Sequence, residues 1–266
     1  WWDYGYWIQT GASRATLGDG GNGRGSINHF LGRHLITSID DRETLEFLNA
    51  NNVTHILMLG DDVGKYGAIS SIASDNDYDR YAQMTAFVLD FDAVEEVGDR
   101  AVLPYRGVQP LYDDFIYNDV LFSKSQSYIG LLSVVLDTGL KLPIDAFAVV
   151  FKGKKQYNVP ISCLYFDGVK YEFEKEGFGG CIKVMPFYRK NTEIGSALYI
   201  PEKTLDSFLV KYYMFGEENP YFELVYNGED LVPNLGLNQK ALIGPMKIWK
   251  VHYPAGVQDR PELRKS

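Results

Sequence analysis

Polar and apolar positions fall into blocks that name elements. Ser26 to Leu35 reads as a helix, and Asp40-Asp41-Arg42-Glu43 starts another that ends near Ala50. Val53–Leu59 is apolar and partly β-branched, between Asn51-Asn52 and Gly60-Asp61, which predicts a buried strand. Asp61-Asp62 then offers an N-cap for a helix over roughly 62–74. From Gln83 the pattern changes to short strands such as Ala86–Phe91, Phe115–Phe122, Phe147–Phe151 and Pro160–Phe166. Turns at Asp137-Thr138-Gly139 and Asp167-Gly168 punctuate them. Pro201-Glu202-Lys203 leads a helix to about Phe215, and Phe222–Tyr226 and Met246–Tyr253 close as strands. The expected class is α+β: a mixed helical core with a β-rich middle section. Its boundaries are 1–80 for an α/β core, 81–200 for the β-rich section, and 201–266 for a return to the core.

Composition narrows this picture. A net charge of −9, with no basic stripe, argues against nucleic acid and against attachment to anionic lipid. No apolar run reaches the length that spans a bilayer, and Tyr128 to Leu136 is far too short. Cys163 and Cys181 flank an expected hairpin of Pro160–Phe166 and Gly180–Phe187, with Tyr171–Glu174 between them. A disulfide and two buried thiols are both open, while the spacing is not metal-like. His29, His34, His55 and His252 are scattered, and no metal site is expected. Gly18-x-Gly20-x-x-Gly23 formally matches a dinucleotide fingerprint, but no proper strand precedes it and no βαβα series follows. Asn52-Val53-Thr54 is a glycosylation sequon, expected to be shielded by the strand it leads into.

The most informative chemistry is at Trp1-Trp2-Asp3-Tyr4-Gly5. Indole N–H groups only donate, and an ionised carboxylate only accepts. Together they can hold a hydroxyl, with the indole faces as apolar wall. Such a pocket rejects an analogue lacking the hydroxyl by roughly 10⁴-fold or more, because buried polar groups are left unpaired. Gly5 would let the chain turn sharply or let a ligand backbone come close. The bland reading is an aromatic-rich strand filling a core. With no initiator Met, the chain is expected to be a piece of a longer protein.

This pentapeptide resembles the WWDYG motif of oligosaccharyltransferase catalytic subunits. Asp62, Lys65 and Ile69 follow at i, i+3 and i+7 on one helix face, and resemble that family's DxxKxxx(M/I) motif, the DK type of archaeal and eukaryotic members. The resemblance is specific over roughly residues 1–75, with a weaker echo at 204–226. It implies a soluble C-terminal domain of a membrane enzyme that transfers a lipid-linked, dolichol-type oligosaccharide to Asn in an Asn-X-Ser/Thr acceptor polypeptide. The domain would lie on the extracytoplasmic face of the cell membrane, in an archaeal-type protein. The resemblance implies that Trp1, Trp2, Asp3, Tyr4 and Gly5 bind the acceptor Ser/Thr. Lys65 and Ile69 would line the same pocket, supported by Asp62. Mn2+ or Mg2+ and the catalytic acids would lie in a membrane part, and none of the catalytic residues in this chain, so the chain alone would be inactive. A rival of another class is a carbohydrate-binding module. It would be favoured by clustered exposed aromatics over 80–200 with Trp1–Trp7 buried.

Overall fold

Met246–Val251 pairs on both sides and organises the part of the chain that carries the motifs. His55–Leu59 and Phe222–Gly228 flank it in a three-stranded antiparallel sheet. The computed structural model describes residues 1–21, 26–75, 77–174, 176–187, 192–228, 232–233, 242–243 and 245–265. They form two compact units, Trp1–Ala82 with Asp206–Ser266, and Gln83–Leu205.

In the first unit, Trp2–Tyr4 make a 3₁₀ turn that runs directly into helix α1 (Gly5–Ala12). The motif is therefore helical, not a strand, and Gly5 has ordinary helical angles rather than a sharp turn. The segment expected as one helix over 26–35 is a short α2 (Ile27–Leu31) followed by a wider π-type turn, Gly32–Ile36. Helix α3 (Asp41–Ala50) starts as expected. Asp40 Oδ1 accepts the Arg42 N–H at 2.9 Å, and Asp41 and Glu43 suit the positive end of the helix dipole. It buries Leu45, Phe47 and Leu48.

The helix expected over 62–74 starts at Gly60 and is interrupted. It consists of α4 (Gly60–Gly64) and α5 (Tyr66–Ala73), with Lys65 at the junction (φ −90°, ψ −2°). Lys65 is thus not in a first helical turn. The helix expected over 201–215 is also divided. Glu202–Thr204 is a 3₁₀ turn of the second unit, and Leu209–Met214 a π-type turn of the first.

The second unit is a sheet closed on itself. Lys155–Phe166, Phe178–Phe187, Thr192–Ile200, Thr85–Leu89, Arg100–Pro110, Ser127–Asp137 and Leu142–Lys152 pair in that order, and the last pairs back onto the first. Closure gives each strand of the ring a partner on both sides over part of its length. Phe87, Tyr105, Leu132, Val150, Ile161 and Ile182 fill the core. The segment expected as one strand over 115–122 is a hairpin instead. Asn118 (φ 48°) and Asp119 (φ 60°) reverse the chain, as a primed turn requires.

Cys163 and Cys181 are disulfide-bonded, but not across a hairpin. They sit opposite one another on parallel strands, and Val169–Glu172 takes the antiparallel side of Lys155–Phe166. Mixed helix and strand are both present, but the expected helical core is not. Strand outweighs helix among the described residues, and the helices of the first unit are short. No helix of the described residues is long and apolar enough to cross a membrane.

Candidate functional site

Asp3 and Tyr4, on the N-terminal turn, meet Asp61 and Lys65 from the α4–α5 junction. Lys65 Nζ donates to Asp3 Oδ2, and lies 2.5 Å from Asp61 Oδ2. The Tyr4 hydroxyl donates to the same Asp61 oxygen at 2.5 Å, and Lys65 Nζ is 3.4 Å from that hydroxyl. One ammonium therefore bridges two carboxylates that lie far apart in sequence, and a phenol completes the cluster. The junction makes this possible, since Asp61 and Lys65 are one turn apart and face the same side.

The electrostatics follow from these contacts. Burial pushes the Asp61 carboxyl up, but hydrogen bonds from Lys65 and Tyr4 outweigh it and hold the group below its ordinary value. Burial pulls the Lys65 ammonium down, yet the bonds to Asp3 and Asp61 hold it above its ordinary value. Tyr4 is pushed far up, first by burial and then by its bond to Asp61, so it remains a hydroxyl donor. Asp3 and Lys65 stay partly exposed, so the cluster is accessible to a ligand.

Asp62 does something different from its neighbour. It is 1% exposed, and its Oδ2 turns back to accept the Leu59 N–H at 3.0 Å, closing the start of α4. Burial pushes its carboxyl up. Asp61 is thus the carboxylate that touches Lys65, a residue the sequence reading passed over. The available signal was its spacing of four from Lys65, the distance of a helical ion pair. Ile69 is 0% exposed, so as placed it presents no surface to a ligand. Trp1 and Trp2 are half-buried beside this cluster in sequence, while Tyr6 (53%) and Trp7 (76%) are exposed on α1. Exposure of Trp7 departs from the condition set for a carbohydrate-binding module.

Gly5 is buried because another backbone approaches it. A Cβ there would lie 2.2 Å from the Gly18 carbonyl oxygen and 2.6 Å from Asp19 Cα. The close partner is thus the chain's own loop rather than a ligand. That loop is pinned to α1, with Gln9 Nε2 donating to Asp19 Oδ2 at 2.9 Å and to Thr16 Oγ1 at 2.7 Å. Gly18 itself packs against Leu31 and Trp2. Of the fingerprint-like glycines, Gly23 lies outside the described residues.

The other candidates have structural partners. His34 bonds Glu43 at 2.6 Å, and His252 bonds Glu223 at 2.6 Å.

Residues 1–58 match the family model of the STT3/PglB/AglB core domain. That match ends before Asp61, Asp62, Lys65 and Ile69. No curated protein matches the chain in sequence. Among solved structures, the C-terminal domain of C. jejuni PglB is similar at a TM-score of 0.49 and 13% identity, over 95% of this chain and 92% of that one. The C-terminal globular domain of the oligosaccharyltransferase from Pyrococcus abyssi is similar at a TM-score of 0.38 and 15% identity, over 94% of this chain and 45% of that one.

Proposed function

We propose that this chain is the C-terminal globular domain of a membrane oligosaccharyltransferase of archaeal type, and that its N-terminal cluster selects the Ser/Thr of an Asn-X-Ser/Thr acceptor. The observation that carries the reading is the meeting of Asp3 and Tyr4 with Asp61 and Lys65. The family match of residues 1–58 supports it independently.

In this reading the acceptor hydroxyl donates to Asp3, whose carboxylate can accept more bonds than the one Lys65 supplies. The indole N–H groups of Trp1 and Trp2 donate to that hydroxyl. Lys65 fixes the Asp3 carboxylate, and Asp61 with Tyr4 fixes Lys65. Gripping the residue two after Asn places the Asn amide for reaction, so the domain's contribution is positioning. Ile69 backs Lys65 from within the helix, since its enclosure leaves no surface for a Thr methyl. Asp62 serves by capping the helix that presents Lys65.

The lipid-linked oligosaccharide, the divalent Mn2+ or Mg2+ and the acids that activate the amide belong to a membrane part outside this chain. The domain itself stands on the extracytoplasmic face. The chain alone should then show no transfer, and turnover by it would contradict the reading.

The test uses full-length protein in membranes with an Asn-X-Thr peptide. Asp3→Ala and Lys65→Ala should each lower transfer about 10- to 100-fold or more, the loss of a charged hydrogen bond. The same changes should leave the melting temperature of the 266-residue chain close to wild type. Transfer that persists, or that falls only in step with stability, would make these residues structural.

A further inference from the structure

The chain carries one Asn-X-Ser/Thr triplet, Asn52-Val53-Thr54. The strand expected to shield it starts only at His55, so the triplet occupies the turn between α3 and the sheet. Asn52 and Thr54 are exposed and Val53 is half-buried. The backbone of the turn is anchored. Asn52 N–H donates to Asn49 O at 3.0 Å, Val53 N–H to Leu48 O at 3.0 Å, and Val251 N–H to Thr54 O at 2.9 Å. The Tyr253 hydroxyl donates to Val53 O. Every one of these bonds uses main-chain atoms of the triplet, so none of them depends on the Asn52 side chain.

We propose that Asn52 is itself an N-glycosylation site. The inference goes beyond the proposed function and rests on it only for the compartment, where a glycosyl-phosphate lipid donor is present. In the step, the Asn52 side-chain nitrogen bonds to C1 of the donor sugar while the bond from C1 to the phosphate oxygen breaks. The lipid phosphate leaves with the electron pair and the amide gives up one proton. Nothing is oxidised or reduced.

In the folded turn Asn52 has φ 54° and its neighbours are held in fixed bonds, so an extended acceptor segment is not available there. Attachment therefore precedes closure of the turn. Once the turn closes, an exposed side chain lets the glycan project into solvent without displacing any buried group. The competing account is that Asn52 is only a turn residue, because Asn tolerates left-handed backbone better than most. Glycine serves that purpose as well, which gives a clean control.

The experiment is mass spectrometry of full-length protein from its native membranes. Trypsin releases Glu43–Lys65 as one peptide. The expected result is a glycan mass on this peptide, localised to Asn52, and present in most copies. Asn52→Gly and Thr54→Ala should abolish it, and Thr54→Ser should retain it. Recovery of only the unmodified peptide, or a glycan that survives Thr54→Ala, would overturn the proposal. Transfer to an external Asn-X-Thr peptide by the same preparation reads the proposed function separately, and Asn52→Gly should leave it unchanged.

Discussion

At the scale of the residue, Asp61 and Asp62 are neighbours with opposite electrostatic roles. Asp61 has a folded pKa below its ordinary 3.8, so its stabilisation is complete above that value and is lost as pH falls through the lower folded value. Asp62 has a raised folded pKa, so its protonation on acidification relieves burial and adds stability. Asp61→Asn should therefore remove part of the wild-type loss of stability below about pH 4. Thermal melts across acid pH check this, and an unchanged acid limb would contradict it. Gly5→Ala should destabilise by about 1–3 kcal/mol or more, because its Cβ meets backbone rather than a mobile side chain. Gly11→Ala, with open space around it in α1, should instead stabilise by up to about 1 kcal/mol. Comparative denaturant unfolding of the two variants reads both signs. Asp3, Tyr4 and Lys65 were legible in the sequence as unusual residues at suggestive spacing. The part played by Asp61 was not, since two adjacent carboxylates open the helix and a single cap bond decides which one turns back.

At the scale of the element, the break at Lys65 matters more than the helix around it. An ammonium at the junction reaches both the N-terminal turn and Asp61. The site is part-exposed and screened by solvent, so Lys65→Ala should cost the fold no more than about 1 kcal/mol. The large effect of that change belongs to transfer, not to stability. Gly32 has the reverse character. A Cβ there would lie 2.9 Å from Ala73 Cβ and 3.2 Å from Ile69 O, so it lets the π-type turn pack directly on α5. Gly32→Ala should lower stability by about 1–3 kcal/mol, seen as a reduced unfolding midpoint. Helix α3 was legible from Asp40 onward because its cap and first-turn acids are local signals. The divisions at 31/32 and 204/209 were not, because hydrophobic spacing does not distinguish a continuous helix from two short ones set by packing.

At the scale of the whole molecule, the β-rich middle section was legible as short strands, but its closure was not. Closure depends on pairing Thr192–Ile200 with Thr85–Leu89, which are distant in sequence, and local alternation carries no information about partners. The same limit applies to Cys163 and Cys181, where the antiparallel expectation gave way to parallel strands. Their separation of 18 residues implies about 3 kcal/mol of stabilisation of the second unit. Reductant, or a Cys163→Ser/Cys181→Ser double change, should lower its melting temperature, and insensitivity to both would contradict the bond's role. Function belongs to this scale as well, because selection of an acceptor can be read only where transfer occurs. The decisive measurement is kcat/KM of the full-length enzyme for matched Asn-X-Thr and Asn-X-Val peptides, with wild type and Asp3→Ala. Wild type should prefer Thr by roughly 10⁴-fold, and Asp3→Ala should cut that preference about 10- to 100-fold or more. A preference that survives Asp3→Ala intact would show that the hydroxyl is read somewhere else.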